Sequence, residues 1–132
     1  MIALDTNVLI RFLVFDEPEQ AQKATRLLEQ AARDNESVLL SEIVLCEATW
    51  VLKSVYGASK RDIASTLRRL LGSEPFVVNH RDVVDRAIER YADGRGHFAD
   101  YLIVEGATAT GAATTVTFDK RLRNESGFTL LS

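Results

Sequence analysis

The chain has 132 residues, 46% hydrophobic and 27% charged, with two prolines and seven glycines, which suits one domain with one core and leaves little for linkers or disordered tails. Its net charge of −3 lacks the basic excess that phosphate binding usually shows, and the local basic groups Lys60-Arg61, Arg68-Arg69 and Lys120-Arg121-Arg123 read equally as solvated helix faces. No apolar run approaches the roughly 18 residues of a membrane span, no signal peptide is legible, and the lone cysteine, Cys46, excludes an internal disulfide, so a cytoplasmic protein is expected.

Strand and helix signals alternate along the chain. Ile2-Ala3-Leu4 reads as a strand, followed by Asp5-Thr6-Asn7 and the apolar Val8 to Val14. Asp16 before Glu17-Pro18-Glu19 resembles a capping residue with a first-turn proline and a capping-box partner. The next helix places Ala21, Ala24, Leu27, Leu28 and Ala31 on one face. Val38-Leu39-Leu40 is a second strand, and a helix from about Glu42 to Tyr56 stops at Gly57. Ser59 and Asp62 form a capping box that opens a helix through Leu67, Leu70 and Leu71. Phe76-Val77-Val78 is a third strand, and Asp82 to Ala92 an amphipathic helix. The polar loop Asp93-Gly94-Arg95-Gly96-His97 then leads to a helix from about Phe98 to Thr110. Thr115 to Phe118 is β-branched and aromatic, hence a strand, and Phe128-Thr129-Leu130 is a last edge strand. This alternation implies an α/β fold, a parallel sheet with helices on both faces.

Asp5 and Asp119 each follow a strand directly, so both belong at the rim beyond the carboxyl ends of the strands, where open α/β sheets bind ligands. Taken alone, each reads better as a helix N-cap. Glu47 lies within Ile43-Val44-Leu45-Cys46-Glu47-Ala48-Thr49-Trp50-Val51-Leu52, and its helical neighbours Ile43, Val44, Ala48, Val51 and Leu52 predict an apolar face. A carboxylate buried there needs a cation or a cage of donors. Asp100 repeats the pattern before Ile103 and Val104, with capping of its own helix as the alternative. Clustered acids repel one another unless they share a cation, and oxygen-only ligands point to Mg²⁺ or Mn²⁺ and away from Zn²⁺. Such ions serve phosphodiester hydrolysis.

The segments Ile2-Ala3-Leu4-Asp5-Thr6-Asn7-Val8-Leu9-Ile10, Ser41 to Glu47, Phe98 to Ile103 and Val116 to Lys120 resemble, in order, the four acid-bearing segments of PIN domains, particularly of the VapC type of bacterial toxin. The resemblance covers nearly the whole chain and implies a single PIN domain over 1–132, a three-layer α/β/α sandwich with a central, mainly parallel sheet of four to five strands. It implies a Mg²⁺- or Mn²⁺-dependent endoribonuclease acting on transfer or ribosomal RNA, inhibited by a VapB-like antitoxin and forming a homodimer. Asp5, Glu47, Asp100 and Asp119 would then be the catalytic metal ligands, with Thr6, Asn7 and Thr117 supporting them. Asp119 matches the most variable of the four acids. An apolar groove near Phe12, Phe15 and Trp50 is the expected antitoxin site, with Trp50 and Tyr56 filling the core or a dimer face and His97 a solvent-facing loop residue. The competing readings are a catalytically inactive PIN-like module that grips RNA or protein, and a phospho-acceptor domain. The latter lacks a second acid beside Asp5 and a strand-end lysine.

Overall fold

The computed structural model describes residues 1–131 and has an α/β fold with parallel strands, as the alternation implies. Among the described residues there are five strands, β1 (Ile2–Ala3), β2 (Val38–Leu39), β3 (Phe76–Val77), β4 (Thr115–Thr117) and β5 (Phe128–Leu130). Six α-helices accompany them: α1 (Thr6–Leu13), α2 (Pro18–Arg33), α3 (Glu42–Ser54), α4 (Lys60–Leu71), α5 (Arg81–Asp93) and α6 (Phe98–Thr110). A single 3₁₀ turn spans Lys120–Leu122. Among the described residues no helix is long and apolar enough to cross a membrane.

The strands do not form one hydrogen-bonded ladder. β1, β2 and β3 pair side by side, all parallel, with Ile2 opposite Val38 and Val38 opposite Phe76. β4 and β5 form a separate parallel pair with Thr115 opposite Phe128. Strands of two or three residues offer few ladder bonds, so their positions depend on the apolar side chains beneath them. Val38 and Leu40 from the second strand region, Leu9 and Leu45 from α1 and α3, and Ile63, Leu67 and Val84 from α4 and α5 make one continuous core.

The helix starts follow from local chemistry. Ser59 caps α4 by accepting from the Asp62 amide at 3.1 Å, and Ser41 caps α3 by accepting from Val44 at 3.2 Å. One cap differs from expectation. Glu17, not Asp16, stands at the N-cap of α2, with Pro18 opening the helix. Asp16 instead accepts the Tyr56 hydroxyl at 2.7 Å, so Tyr56 ties the α1–α2 turn to the end of α3 while packing, partly buried, against the core.

The chain leaves β1 at Asp5 to start α1, and leaves the β2 region at Ser41 to start α3. Both helices therefore begin at the same rim of the three-stranded sheet, and they pack against each other. That places the first turn of α1 beside the second turn of α3.

Candidate active site

Asp5 and Glu47 share one open groove of about 590 Å³ at this rim, lined also by Thr6, Asn7, Val44, Cys46, Trp50 and Val51. The Thr6 hydroxyl donates to Glu47 Oε1 at 2.7 Å, which ties the first residue of α1 to the acid on α3. Asp5 Oδ1 accepts from the Val8 amide at 3.1 Å, so Asp5 is also the N-cap of α1.

The expectation that Glu47 is buried on an apolar face is corrected here: Glu47 is exposed. Val44, Leu45, Ala48 and Leu52 turn inward, whereas Ile43 and Trp50, the neighbours three or four residues from Glu47, stand in solvent. Its carboxylate is therefore available to a ligand. Cys46, beside it, is half-buried, and burial first, then the nearby charges of Glu42 and Glu47, push its thiol up to about 11. It is a protonated wall of the groove at neutral pH.

A second pair of acids is linked to the groove through His97. Asp100, in the first turn of α6, accepts from the His97 amide through Oδ2 at 2.8 Å and so caps its own helix. His97 is a half-buried N-cap residue, not the free loop histidine expected. Its ring meets Trp50 edge-on, with centroids 5.9 Å apart and planes at 78°. This contact joins the α3 side of the groove to the loop before α6.

Asp119 follows β4, where its amide donates to the Thr117 hydroxyl at 3.0 Å. Both of its carboxylate oxygens accept from the Arg121 guanidinium, and Oδ1 also accepts from the Arg121 amide at 2.9 Å. The guanidinium, above all, holds the Asp119 carboxyl well below the usual range, at about 2. Arg121 Nη1 also lies 3.3 Å from His97 Nε2, so the guanidinium bridges Asp119 to the groove's lip.

Because the folded-state value is depressed, the pair's contribution is fully present above the ordinary carboxyl value and is lost as pH falls through about 2. Replacing Arg121 with Met keeps the aliphatic stem and removes the charge. The Asp119 titration midpoint, followed by carboxyl-carbon NMR, is expected to rise from about 2 toward 3.8. An unchanged midpoint contradicts this account of the pair.

The loop carrying His97 is held firmly. Tyr101 Oη accepts from the Gly96 amide at 2.9 Å and donates to Glu125 Oε1 at 2.8 Å, while Arg95 donates its amide to the same oxygen at 3.0 Å. Lys60 Nζ donates to the Gly94 and Gly96 carbonyls. The tethers to Glu125 and Lys60 were not legible in sequence, because they join segments more than twenty residues apart. Glu105 faces away from the groove chemistry, half-buried and paired with Arg86 and Arg90. Phe12 packs on Phe76 and lines a separate groove, so Phe12 and Trp50 do not belong to one apolar channel.

Among the described residues no three His, Cys, Asp or Glu side chains converge closely enough to hold a metal ion as they stand. The donor chemistry nonetheless fits a hard cation. Each of Asp5, Glu47 and Asp100 spends one oxygen on a protein hydrogen bond, leaving Asp5 Oδ2, Glu47 Oε2 and Asp100 Oδ1 without a donor among the described residues. Mg²⁺ typically takes one or two carboxylates and completes its shell with water and substrate phosphate, so it does not demand a closed protein cage.

An α/β fold with an acidic groove beyond its strand ends defines a class of ligand-binding domains suited to cation-assisted phosphate chemistry. The PIN domain family matches residues 2–126, and the chain belongs to that family, whose members are generally nucleases. A comparison with curated proteins finds no match.

Proposed function

We propose that this PIN domain is a Mg²⁺- or Mn²⁺-dependent endoribonuclease, the toxin of a VapBC-type pair. The observation that carries the reading is the meeting of Asp5 and Glu47 in one open groove, each with an uncommitted oxygen, beside the helix turn that carries Asp100. A bound divalent ion there supplies Lewis acidity and lowers the pKa of a coordinated water.

The chain's own residues do the rest. Asp5, Glu47 and Asp100 would hold the ion, and one of these carboxylates would accept the proton that the attacking water gives up. Thr6 fixes the rotamer of Glu47 through its 2.7 Å bond. Asn7, on the groove wall, offers an amide to a phosphate or to water. Thr117 fixes the turn that presents Asp119, whose carboxylate joins the site only when Arg121 lets go. The choice of transfer or ribosomal RNA, the VapB-like antitoxin, the homodimer and the cytoplasmic setting follow from the likeness to VapC proteins and belong to this proposal.

One observation favours the second reading, an inactive RNA- or protein-binding module: Asp119 is already neutralised by Arg121, and among the described residues no three acids are preassembled. Purified, antitoxin-free protein incubated with total bacterial RNA separates the two. Discrete fragments in Mn²⁺ and intact RNA in EDTA support the nuclease. Intact RNA under both conditions, with no Mn²⁺ binding by calorimetry, supports the module.

A further inference from the structure

We propose that Trp50 is a stacking platform for one unpaired nucleobase of the RNA, next to the phosphodiester presented to Asp5 and Glu47. The inference rests on the ribonuclease reading and concerns how that same groove holds its substrate.

Trp50 is 60% exposed although it sits on a helix whose adjacent residues Ala48, Thr49 and Leu52 are buried. Tryptophan is usually well covered, so an indole left open is a departure that packing does not explain. Three residues separate it from Glu47, which puts both on the same face of α3, one turn apart, and both line the same groove. The edge-on contact with His97 fixes the ring at the lip while leaving most of the indole in solvent. A preset ring of this kind loses little entropy when a base lies on it.

The surroundings favour a nucleotide over a protein. Lys53 stands exposed three residues beyond Trp50 on α3, while Arg121, 3.3 Å from His97, is held by Asp119. An aromatic face with an ammonium one helical turn away matches a base and its neighbouring phosphate. Asp5 and Glu47 line the same groove, and their carboxylates repel a phosphate unless a cation sits between them, so the strand is held at the aromatic lip and its neighbouring phosphate is directed to the ion. Bases inside a duplex are already stacked, and their faces are unavailable to the indole, so the site selects single-stranded loops or bulges.

Trp50 is the chain's one tryptophan, so its emission reports on the platform directly. The experiment titrates the full chain, with Ca²⁺ in place of Mg²⁺ to limit turnover, against a labelled single-stranded oligoribonucleotide and against its duplex. Fluorescence anisotropy of the label reads binding while intrinsic fluorescence reads Trp50. The single strand is expected to quench Trp50 as it binds, and the duplex to leave it unquenched. Trp50→Ala should weaken single-strand binding by about 5- to 100-fold, and Trp50→Phe by much less. In cleavage, Trp50→Ala should raise KM with kcat nearly unchanged. Circular dichroism confirms that the variants fold.

Binding by Trp50→Ala within twofold of wild type, or unchanged Trp50 emission at saturating single strand, overturns the platform. So does a red shift of the free protein's emission on dilution, which would show a second copy covering the indole. If wild type cleaves RNA and Trp50→Ala cleaves it with the same KM, the platform falls and the nuclease stands. If wild type neither binds nor cleaves any RNA, the ribonuclease reading itself falls.

Discussion

Asp5→Asn is expected to lower RNA cleavage by about 10²–10⁴-fold while the protein stays folded. The two halves of this expectation rest on different oxygens. Oδ1 of Asp5 caps α1 through the Val8 amide, and asparagine caps a helix about as well as aspartate. Oδ2 has no donor among the described residues, and asparagine cannot supply the carboxylate charge that a divalent ion needs. Thermal melting of Asp5→Asn should therefore follow wild type within a few degrees, whereas Asp5→Ala loses cap and charge together and should also melt earlier, by roughly 1 kcal/mol of stability. Full cleavage by Asp5→Asn would remove Asp5 from the chemistry and leave it only a cap.

The largest stability effect near the site is expected from Gly94→Ala. Gly94 has an ordinary extended backbone, so the constraint is space and not conformation. A methyl group there falls onto the Tyr101 hydroxyl and lies 2.8 Å from the Arg90 carbonyl oxygen. The hydroxyl is the far end of a side chain, but Tyr101 is fully buried and its oxygen serves both Gly96 and Glu125, so it has nowhere to go without breaking those bonds. Overpacking together with a lost buried hydrogen bond costs about 3 kcal/mol, a fall in Tm on the order of 10 °C. Because the loop carries His97 and starts the helix of Asp100, activity should fall further than stability alone explains. Tyr101→Phe in the Gly94→Ala background removes the colliding oxygen and should recover part of the stability, while the ring carbon Cζ, 2.5 Å from the added methyl, and the Arg90 carbonyl still obstruct. Gly94→Ala melting like wild type would contradict the tight packing of this loop.

The element order was legible because the local signals agree with one another. Ser59 with Asp62, Gly57 after α3 and the β-branched Thr115-Val116-Thr117 each point to the element the chain forms. The division of the strands into a three and a two was not legible, since runs of two or three residues do not specify their ladder partners. Glu47 was singled out for a partly wrong reason. A helix apolar nearly all round reads as buried, yet α3 lies at the surface with Ile43 and Trp50 in solvent, so the acid is open instead of caged. The same spacing that marks Glu47 also marks Trp50, and an aromatic residue three positions from a candidate acid is the signal that was passed over. Arg121 could not be read at all: its bond to Asp119 depends on the 3₁₀ turn, which has no periodic signature. Asp5, Asp100 and Asp119 do cap their turns, and this does not compete with a site role, because Asp5 and Asp100 each commit only one oxygen to the cap.

The most direct test of the central claim is to let the protein cut RNA in Mn²⁺ and heavy-oxygen water, then analyse the new ends by mass spectrometry. The account predicts fragments in which one new terminal phosphate carries a single solvent oxygen, no 2′,3′-cyclic phosphate, and no product at all with EDTA or with Asp5→Asn. Cyclic phosphate ends, or cleavage that survives EDTA, would mean that the RNA's own 2′-hydroxyl is the nucleophile and that the acidic groove does not activate water.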